Sequence, residues 1–213
     1  MEIIGFTSGP LENNCYVVYD KQTGKGAVID APLDSYSKIL GLIIEHKITI
    51  EAIILTHYHW DHIAHAEELR RQTHAPVYIH TDDEDKIKEP MKYTIFPLPF
   101  TIESVSLTKL INHNDVLNTG KLSFEIYHTP GHTEGSVILV ERNNKVVFSG
   151  DLIFNGSVGR TDFPGGSYES LMNSINNYIL TLPDDFRILS GHGPETTVGW
   201  EKANNPFLNK GYI

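Results

Sequence analysis

The sequence predicts one mixed α/β domain over residues 1–213, built from two similar halves that each contain β and α layers. Short apolar runs of strand length recur along the chain, and segments between them carry apolar residues at helical spacing. Each half ends in a short apolar strand that is followed by a histidine-bearing loop. No low-complexity segment or linker separates the halves, so we expect them to pack together as one domain.

The first half contains four segments of strand character and two of helical character. A turn with Gly24 separates the first two strands, which are therefore expected to form a β-hairpin. Asp34 is expected to cap the first helix, because a carboxylate accepts hydrogen bonds from the first amides of a helix. In chain order the elements are strands at 15–19 and 26–30, a helix with apolar residues Ile39, Leu40, Ile43 and Ile44, a strand at 52–55, a helix at 63–72 and a strand at 76–79.

Residues 82–99 are expected to be irregular. They begin with a run of charge, Asp82 to Asp85, which is typical of a solvated loop or helix start and lacks the spacing of a calcium-binding loop. Three prolines then interrupt any regular element. The second half resumes with a strand around 124–127, a hairpin of 137–140 with 146–148, a helix opened by residues 165–167, and a strand at 186–189.

The amino-acid composition argues against several kinds of partner and of metal site. The 17 Lys and Arg against 27 Asp and Glu give a formal charge of −10, which argues against binding to nucleic acid or to an anionic membrane surface. The single cysteine, Cys15, excludes an intramolecular disulfide and a four-cysteine metal site. No apolar stretch is long enough to cross a bilayer, and no signal peptide precedes the first strand, so we expect a cytoplasmic protein. Nothing in the sequence indicates the oligomeric state.

A histidine-rich segment follows the predicted strand at 52–55. It contains three histidines and an aspartate in the pattern H-x-H-x-D-H, namely His57, His59, Asp61 and His62. In an extended chain the first three of these side chains point to one side and the last to the other. A helix that begins at Asp61 or His62 would turn these two towards a second point. The segment therefore predicts a site for one metal ion or for two adjacent ones.

Three more potential ligands each appear directly after a predicted strand. They are His132 after Gly131, Asp151 after Gly150, and His192 after Gly191. In mixed α/β folds the loops beyond strand ends gather at one edge, where sites are built. Together with the histidine-rich segment they supply seven nitrogen and oxygen ligands and no sulfur, which suits zinc, iron or manganese. Two metal ions bridged by one carboxylate and one water would use all seven.

These motifs and their order resemble the metallo-β-lactamase superfamily. The resemblance spans T-H-x-H-x-D-H, G-H-T-x-G-S, G-D and G-H-G-P over residues 56–194, and residues 14–16 also fit the opening strands of that family. It implies a four-layer αββα sandwich of two mixed β-sheets flanked by helices, with a site for two divalent metal ions, expected to be zinc, in the groove at the sheet edges. The implied ligands are His57, His59 and His132 for the first metal, Asp61, His62 and His192 for the second, and Asp151 as the bridge.

Within the superfamily the chain is most similar to short bacterial forms of the glyoxalase II-like thioesterases. Residues 150–162 carry this resemblance, and Arg160 occupies the position of a basic residue that contacts glutathione in glyoxalase II. The implied activity is hydrolysis of S-lactoylglutathione, or of a related small anionic acyl thioester, by a metal-bridging hydroxide. Asp61 and Asp151 would be catalytic, and Arg160 would bind substrate. An ion pair on the surface with Asp162, which replaces an expected aromatic residue, is the alternative role for Arg160.

Two other activities of the same superfamily remain open at this point. A persulfide dioxygenase-like oxidoreductase would use a single iron held by the counterparts of His57, His132 and Asp151, two histidines and one carboxylate. A lactonase-type hydrolase would use the full set of ligands. The number of ligands does not separate these alternatives, but metal content and oxygen uptake would.

Overall fold

Two six-stranded mixed β-sheets form the centre of the molecule in the computed structural model, which describes residues 1–208. In the first sheet the strands lie in chain order: β1 Glu2–Ser8, β2 Asn13–Tyr19, β3 Lys25–Ile29, β4 Thr49–Ile54, β5 Val77–His80 and β6 Thr108–Ile111. Strands β1 to β3 are antiparallel, whereas β3 to β6 are parallel. Parallel neighbours need crossover connections, and each of the three crossovers in this sheet contains helical segments.

The second sheet has the order β14-β13-β10-β9-β8-β7. Its strands are β7 Val116–Thr119, β8 Leu122–His128, β9 Val137–Glu141, β10 Val146–Gly150, β13 Arg187–Ser190 and β14 Thr196–Thr197. Strands β10 and β13 are parallel, and the other neighbours are antiparallel. A separate two-stranded ribbon follows β10 and consists of β11 Ile153–Phe154 and β12 Ser157–Val158.

Helices cover the outer faces of both sheets. The regular helices are α1 Tyr36–His46, α2 Trp60–Ile63, α3 Ala66–Thr73, α4 Glu84–Lys88, α5 Tyr168–Ser174 and α6 Val198–Asn204. Short 3₁₀ turns occupy Thr81–Asp83 and Pro90–Lys92, and α5 continues into a π-helical turn, Ile175–Ile179. Among the described residues, none of the helices has both the length and the apolar character that a membrane span requires.

Three apolar clusters separate the layers. The central one joins the inner faces of the two sheets, with Ile29 and Ile54 from the first sheet and Phe124 and Phe148 from the second. A second cluster packs α1 and α3 on the first sheet, and a third packs α5 and α6 on the other. Alternate strand residues thus face opposite layers, and the predicted αββα sandwich of two mixed sheets is confirmed.

Most predicted elements agree with the structure, including both hairpins, but the details of α1 do not. Ser35 occupies the N-cap position, and Asp34 precedes it with a φ of 63°, so the prediction that Asp34 caps the helix is wrong. Ile44 is 77% exposed, whereas Ile39 is fully buried. Five helical residues correspond to a rotation of about 140°, which places Ile44 on the far side of the helix from Ile39.

A buried carboxylate joins α3 to the segment before β6. Glu67 accepts hydrogen bonds from Arg70 Nε and Nη2 at 2.8 and 2.9 Å, and from Ser106 N and Oγ at 3.1 and 2.9 Å. Burial opposes ionisation of this carboxyl, but the Arg70 guanidinium and the Ser106 donors outweigh burial and lower its pKa to about 2. The ionised form therefore stabilises the fold above the pKa of the unfolded chain, near 4.5.

Replacing Glu67 with Gln is expected to lower the free energy of unfolding at pH 7 by about 2 kcal/mol. Because protonation removes the contribution of Glu67, the difference from the wild type should stay constant from pH 7 to 5 and shrink by roughly 1 kcal/mol at pH 4. Urea unfolding at these three pH values measures it. Glu103→Gln, which removes the exposed partner of Arg71, is the control and should change stability by under about 1 kcal/mol. A pH-independent difference for Glu67→Gln would contradict the assignment.

Candidate metal centre

The carboxyl ends of β4 and β10 and the loops that follow β8 and β13 meet at one edge of the sandwich. Backbone hydrogen bonds join the loops: Val137 N donates to Thr56 O at 2.9 Å, and Gly191 N donates to Gly150 O at 2.8 Å. All seven side chains predicted as metal ligands lie at this edge. They form overlapping groups of three, and within each group the potential ligand atoms lie within 4.8 Å of one another.

The first group consists of His57, His59 and His132. Nδ1 of His59 lies 3.1 Å from Nε2 of His57 and 2.8 Å from Nε2 of His132. His132 donates from Nδ1 to the Arg160 carbonyl oxygen at 2.8 Å, which fixes its tautomer and leaves the Nε2 lone pair facing the other two rings. Gly131, before it, has a φ of 139°, and a Cβ there would lie 2.2 Å from Leu171 N, so the turn that places His132 requires glycine.

The second group consists of Asp61, His62 and His192. Helix α2 begins at Trp60, one residue before the earlier of the two predicted starts, and carries Asp61 and His62. The His62 ring lies against the first group, with its centroid 4.1 Å from that of His57. Oδ2 of Asp61 is 3.2 Å from Nε2 of His192 and 3.6 Å from Nε2 of His62. His192 donates from Nδ1 to the Leu11 carbonyl oxygen at 3.1 Å, so Nε2 is the ring nitrogen that would bind a metal ion when the ring is neutral.

Asp151 lies between the two groups. Its Oδ1 is 3.4 Å from His62 Nε2, and its Oδ2 is 3.5 Å from His132 Nε2 and 3.7 Å from His192 Nε2. One carboxylate thus faces ring nitrogens of both groups, with a different oxygen towards His62 than towards the other two. This is the placement that a bridging ligand requires.

The donor chemistry of the cluster fits divalent cations. Two buried atoms that face the centre, His62 Nε2 and Asp151 Oδ1, have no hydrogen-bond partner among the described residues. In the first group three ring nitrogens converge. A hydrogen on one of them can make a hydrogen bond with only one of the other two at a time, so the three nitrogens do not satisfy one another. Imidazole nitrogens and carboxylate oxygens at this spacing are ligands for zinc, iron or manganese. The cluster could therefore hold two such ions.

Electrostatics divide the histidines of the cluster into two kinds. Burial, with the neighbouring His62, holds the pKa of His57 well below its usual range, and burial lowers the pKa of His59 to about 3. Burial opposes protonation of His62 and His192, but the neighbouring carboxylates Asp151 and Asp61 outweigh it and raise both pKa values. Burial likewise opposes ionisation of Asp61 and Asp151, but the charge of His62 outweighs it and lowers their pKa values. Cations bind ionised carboxylates and neutral imidazoles, so a metal ion would take the place of the protons on His62 and His192.

Asp30 is a residue of the centre that the sequence interpretation missed. Its carboxylate is buried, accepts from Thr56 N at 2.8 Å and Thr56 Oγ1 at 2.9 Å, and accepts from His62 Nδ1 at 2.8 Å. It therefore sets the ring orientation of His62 and leaves Nε2 of that ring directed at the cluster. A signal was present, because Asp30 follows an apolar strand immediately, as Asp151 does.

Asp83 is the second missed residue, and it corrects the expectation of a solvated charge run. Its side chain is fully buried. It accepts hydrogen bonds from Tyr58 N at 3.2 Å, Thr133 Oγ1 at 2.9 Å, Gly135 N at 3.1 Å and Lys86 Nζ at 3.1 Å. Burial raises its pKa. The carboxylate joins the loop that carries His57 and His59 to the loop that carries His132, and no sequence pattern distinguished it from its charged neighbours.

A further histidine, His128, lies four residues before His132 and makes its contacts elsewhere. Its ring stacks on His80 with centroids 3.9 Å apart, and its Nε2 donates to the Glu134 carbonyl oxygen at 2.7 Å. His80 Nδ1 accepts from Asp82 N at 3.2 Å. These hydrogen bonds occupy the nitrogens that face Asp82, so the trio is a structural cluster.

A cavity of about 600 Å³ opens over the centre. Its floor includes the side chains His59, Asp61, His132, Asp151 and His192, and Arg160 lies on its wall. The Arg160 guanidinium also makes two hydrogen bonds of 2.8 Å to the Asp162 carboxylate. Both roles foreseen for Arg160 are therefore compatible with its position: it lines the cavity, and it forms an ion pair on the surface.

Comparison with known proteins agrees with this geometry. The family model of the Metallo-beta-lactamase superfamily matches residues 8–192. The hydroxyacylglutathione hydrolase GloC of Haemophilus influenzae is 36% identical over 212 residues, which cover 98% of each chain.

Two solved structures have the same fold. The crystal structure of BLEG-1 B3 metallo-beta-lactamase superimposes with a TM-score of 0.90 at 36% identity, over 98% of this chain and 100% of that one. The crystal structure of TTHA1623 in a di-iron-bound form has a TM-score of 0.81 at 33% identity, over 96% and 100% of the two chains.

Proposed function

The chain belongs to the metallo-β-lactamase superfamily, and on that premise we propose that it is a metal-dependent thioesterase with S-lactoylglutathione as its reference substrate. The observation that carries the proposal is the two-group arrangement of seven side chains, with Asp151 between the groups, on the floor of an open cavity. The similarity to a hydroxyacylglutathione hydrolase over nearly the whole chain supports the choice of substrate class.

We propose two divalent ions as the resident metals. His57, His59 and His132 would hold one, Asp61, His62 and His192 the other, and Asp151 both. When bound, such a pair polarises a substrate carbonyl and lowers the pKa of a water molecule towards neutrality. Zinc is the proposed metal because imidazole nitrogen is one of its preferred ligands and five of the seven side chains are histidines. The di-iron-bound neighbour supports iron as the alternative.

Residues of the chain have distinct proposed roles around the reacting carbonyl. Asp61 lies on the cavity floor and is 90% or more buried, so its ionised carboxylate accepts a hydrogen bond from the attacking water and orients it. Asp30 holds His62, and the Arg160 carbonyl oxygen holds His132, so the floor is preorganised before substrate binds. The leaving thiolate is stable near neutral pH, so the reaction does not depend on a strong general acid from the chain.

Metal analysis of protein purified without added metal, followed by S-lactoylglutathione turnover on the same sample, tests this proposal. About two zinc ions per chain together with release of free thiol is the expected result. Two ions without thioester cleavage would overturn the thioesterase assignment and direct attention to lactones. One iron per chain with oxygen uptake on a glutathione persulfide would replace it with the dioxygenase. No bound metal would overturn both.

β-Lactam hydrolysis is a second candidate because one neighbour at 36% identity and a TM-score of 0.90 is titled a B3 metallo-beta-lactamase. The same metal-loaded sample should be assayed with a chromogenic cephalosporin. We expect its kcat/KM to be lower than that for the thioester by about 10²-fold or more, because a thiolate leaves more readily than a lactam nitrogen. The reverse order would favour the lactamase.

A further inference from the structure

The cavity above the centre is apolar on the side away from the candidate ligands. Its wall includes Trp60, Tyr93, Ile95, Phe96 and Leu98. Two of these remain accessible to solvent, Ile95 at 39% and Phe96 at 59%. Large apolar side chains at a cavity mouth that remain in water are unfavourable unless a ligand or partner covers them. The wall is continuous with the catalytic floor, so the occupant that fits it is part of the substrate.

The same cavity offers little positive charge. Among the lining residues that lie within the described part of the chain, residues 1–208, the only Lys or Arg is Arg160. Its guanidinium is paired through two hydrogen bonds with Asp162 and lies 3.5 Å from the centroid of the Phe163 ring. An arginine stacked on a ring and paired with a carboxylate presents an apolar face and almost no net charge. The chain as a whole carries a formal charge of −10, which further disfavours anions.

We propose that the cavity selects thioesters that carry an apolar, uncharged group, and that Asp162 lowers affinity for thioesters of anionic thiols by neutralising Arg160. This inference rests on the proposed thioesterase function and specifies its substrate class. The apolar group would contact the wall formed by Ile95 and Phe96, either as the acyl chain or as the thiol side of the substrate. Asp162 would act as a specificity-determining residue, since it lies outside the cavity and does not touch the reacting atoms.

A set of substrates in which the acyl group and the thiol are varied independently tests the proposal. It also shows whether the acyl side or the thiol side of the substrate contacts the wall. Four thioesters combine a lactoyl or hexanoyl acyl group with glutathione or with uncharged N-acetylcysteamine, and free-thiol release gives kcat/KM. We expect hexanoyl N-acetylcysteamine to be best, with a gain of about twofold to fourfold per added methylene on the side that contacts the wall. If kcat/KM rises only when hexanoyl replaces lactoyl, the acyl chain contacts the wall. If it rises only when N-acetylcysteamine replaces glutathione, the thiol side of the substrate contacts it. Equal rates for all four, or a preference for lactoylglutathione, would overturn the inference.

A variant at the mouth and a matched control locate the effect. Phe96→Ala should reduce the ratio of kcat/KM for the hexanoyl substrate to that for the lactoyl substrate by about threefold to tenfold. Phe207→Ala removes a similarly exposed phenylalanine, 47% exposed, that does not line the cavity, and should leave the preference unchanged. An identical loss in both variants, or none in Phe96→Ala, would count against the wall as the binding surface.

A substitution of Asp162 tests whether its charge lowers affinity for anionic thioesters. Asp162→Asn should raise kcat/KM for both glutathione thioesters by about twofold to fivefold, and leave the N-acetylcysteamine thioesters unchanged. The gain should shrink in high salt, because ions screen an exposed charge. Asp185→Asn changes the net charge equally by removing an exposed partner of Lys145, and is the control. No gain in Asp162→Asn, or the same gain in Asp185→Asn, would refute the role of Asp162.

Binding without turnover provides a second readout. Two non-hydrolysable thioethers serve as probes, S-hexyl-N-acetylcysteamine and S-methylglutathione. Calorimetry should show that S-hexyl-N-acetylcysteamine binds more tightly, in line with the expected order of kcat/KM for the thioesters. If the thioesters are not cleaved at all, the proposed function fails, whatever the thioether affinities are. If they are cleaved but neither rates nor affinities depend on the apolar group, only the inference fails.

Discussion

Replacement of Asp151 with Asn is expected to lower kcat/KM for the proposed thioester hydrolysis by about 10³-fold, because a carboxylate that bridges two metal ions would contribute several kcal/mol of stabilisation to a transition state in which charge develops. An amide supplies a single neutral oxygen where the carboxylate presents one oxygen to His62 and the other to His132 and His192. Bound metal should fall from about two ions per chain towards one or none, because the remaining ligands bear less negative charge.

Steady-state kinetics and metal analysis on the same preparation measure the effect of Asp151→Asn. The matched control is Asp184→Asn, which removes an exposed carboxylate that pairs with Lys202 far from the cluster. It should leave activity and metal content unchanged.

Asp61→Asn should also lose activity by about 10²-fold or more, since Asp61 both faces His192 and lies on the cavity floor. Near-full activity in both cluster variants would contradict the site assignment.

Replacement of Asp83 with Ala is expected to lower the free energy of unfolding by about 3–5 kcal/mol. The change leaves the buried donors Tyr58 N and Gly135 N without an acceptor, and removes one of the three acceptors of the Lys86 ammonium. Asp83 connects the two loops that carry the first group of histidines, so metal affinity should fall as well, by about tenfold to 100-fold.

Urea unfolding of the metal-free protein and competition with a chelator measure these two effects of Asp83→Ala separately. Asp85→Ala is the control, because it removes an exposed carboxylate from the same charge run. It should cost less than about 0.5 kcal/mol. If Asp83→Ala were no less stable than Asp85→Ala, the hydrogen bonds of Asp83 would not be holding the loops together.

The sequence by itself determined the order of the motifs and the residues that the fold gathers. A ligand type that follows an apolar strand is a local pattern, and the loops beyond strand ends of a mixed α/β fold gather at one edge, so His57, His132, Asp151 and His192 could be grouped from the sequence. The same local reasoning predicted both hairpins, since strand and turn preferences are set by neighbouring residues.

The tertiary structure alone decided which charged groups are buried and how they pair. Asp83 belongs to a run of four acidic residues with no local difference between them, and it is buried because Tyr58 and Thr133, from distant segments, supply its donors. The sequence left open whether Arg160 binds substrate or pairs with Asp162, and in the structure its side chain lines the cavity and forms the ion pair with Asp162. Periodicity describes a residue relative to its own helix or strand, whereas burial, pairing and cavity walls depend on which remote segments pack against it.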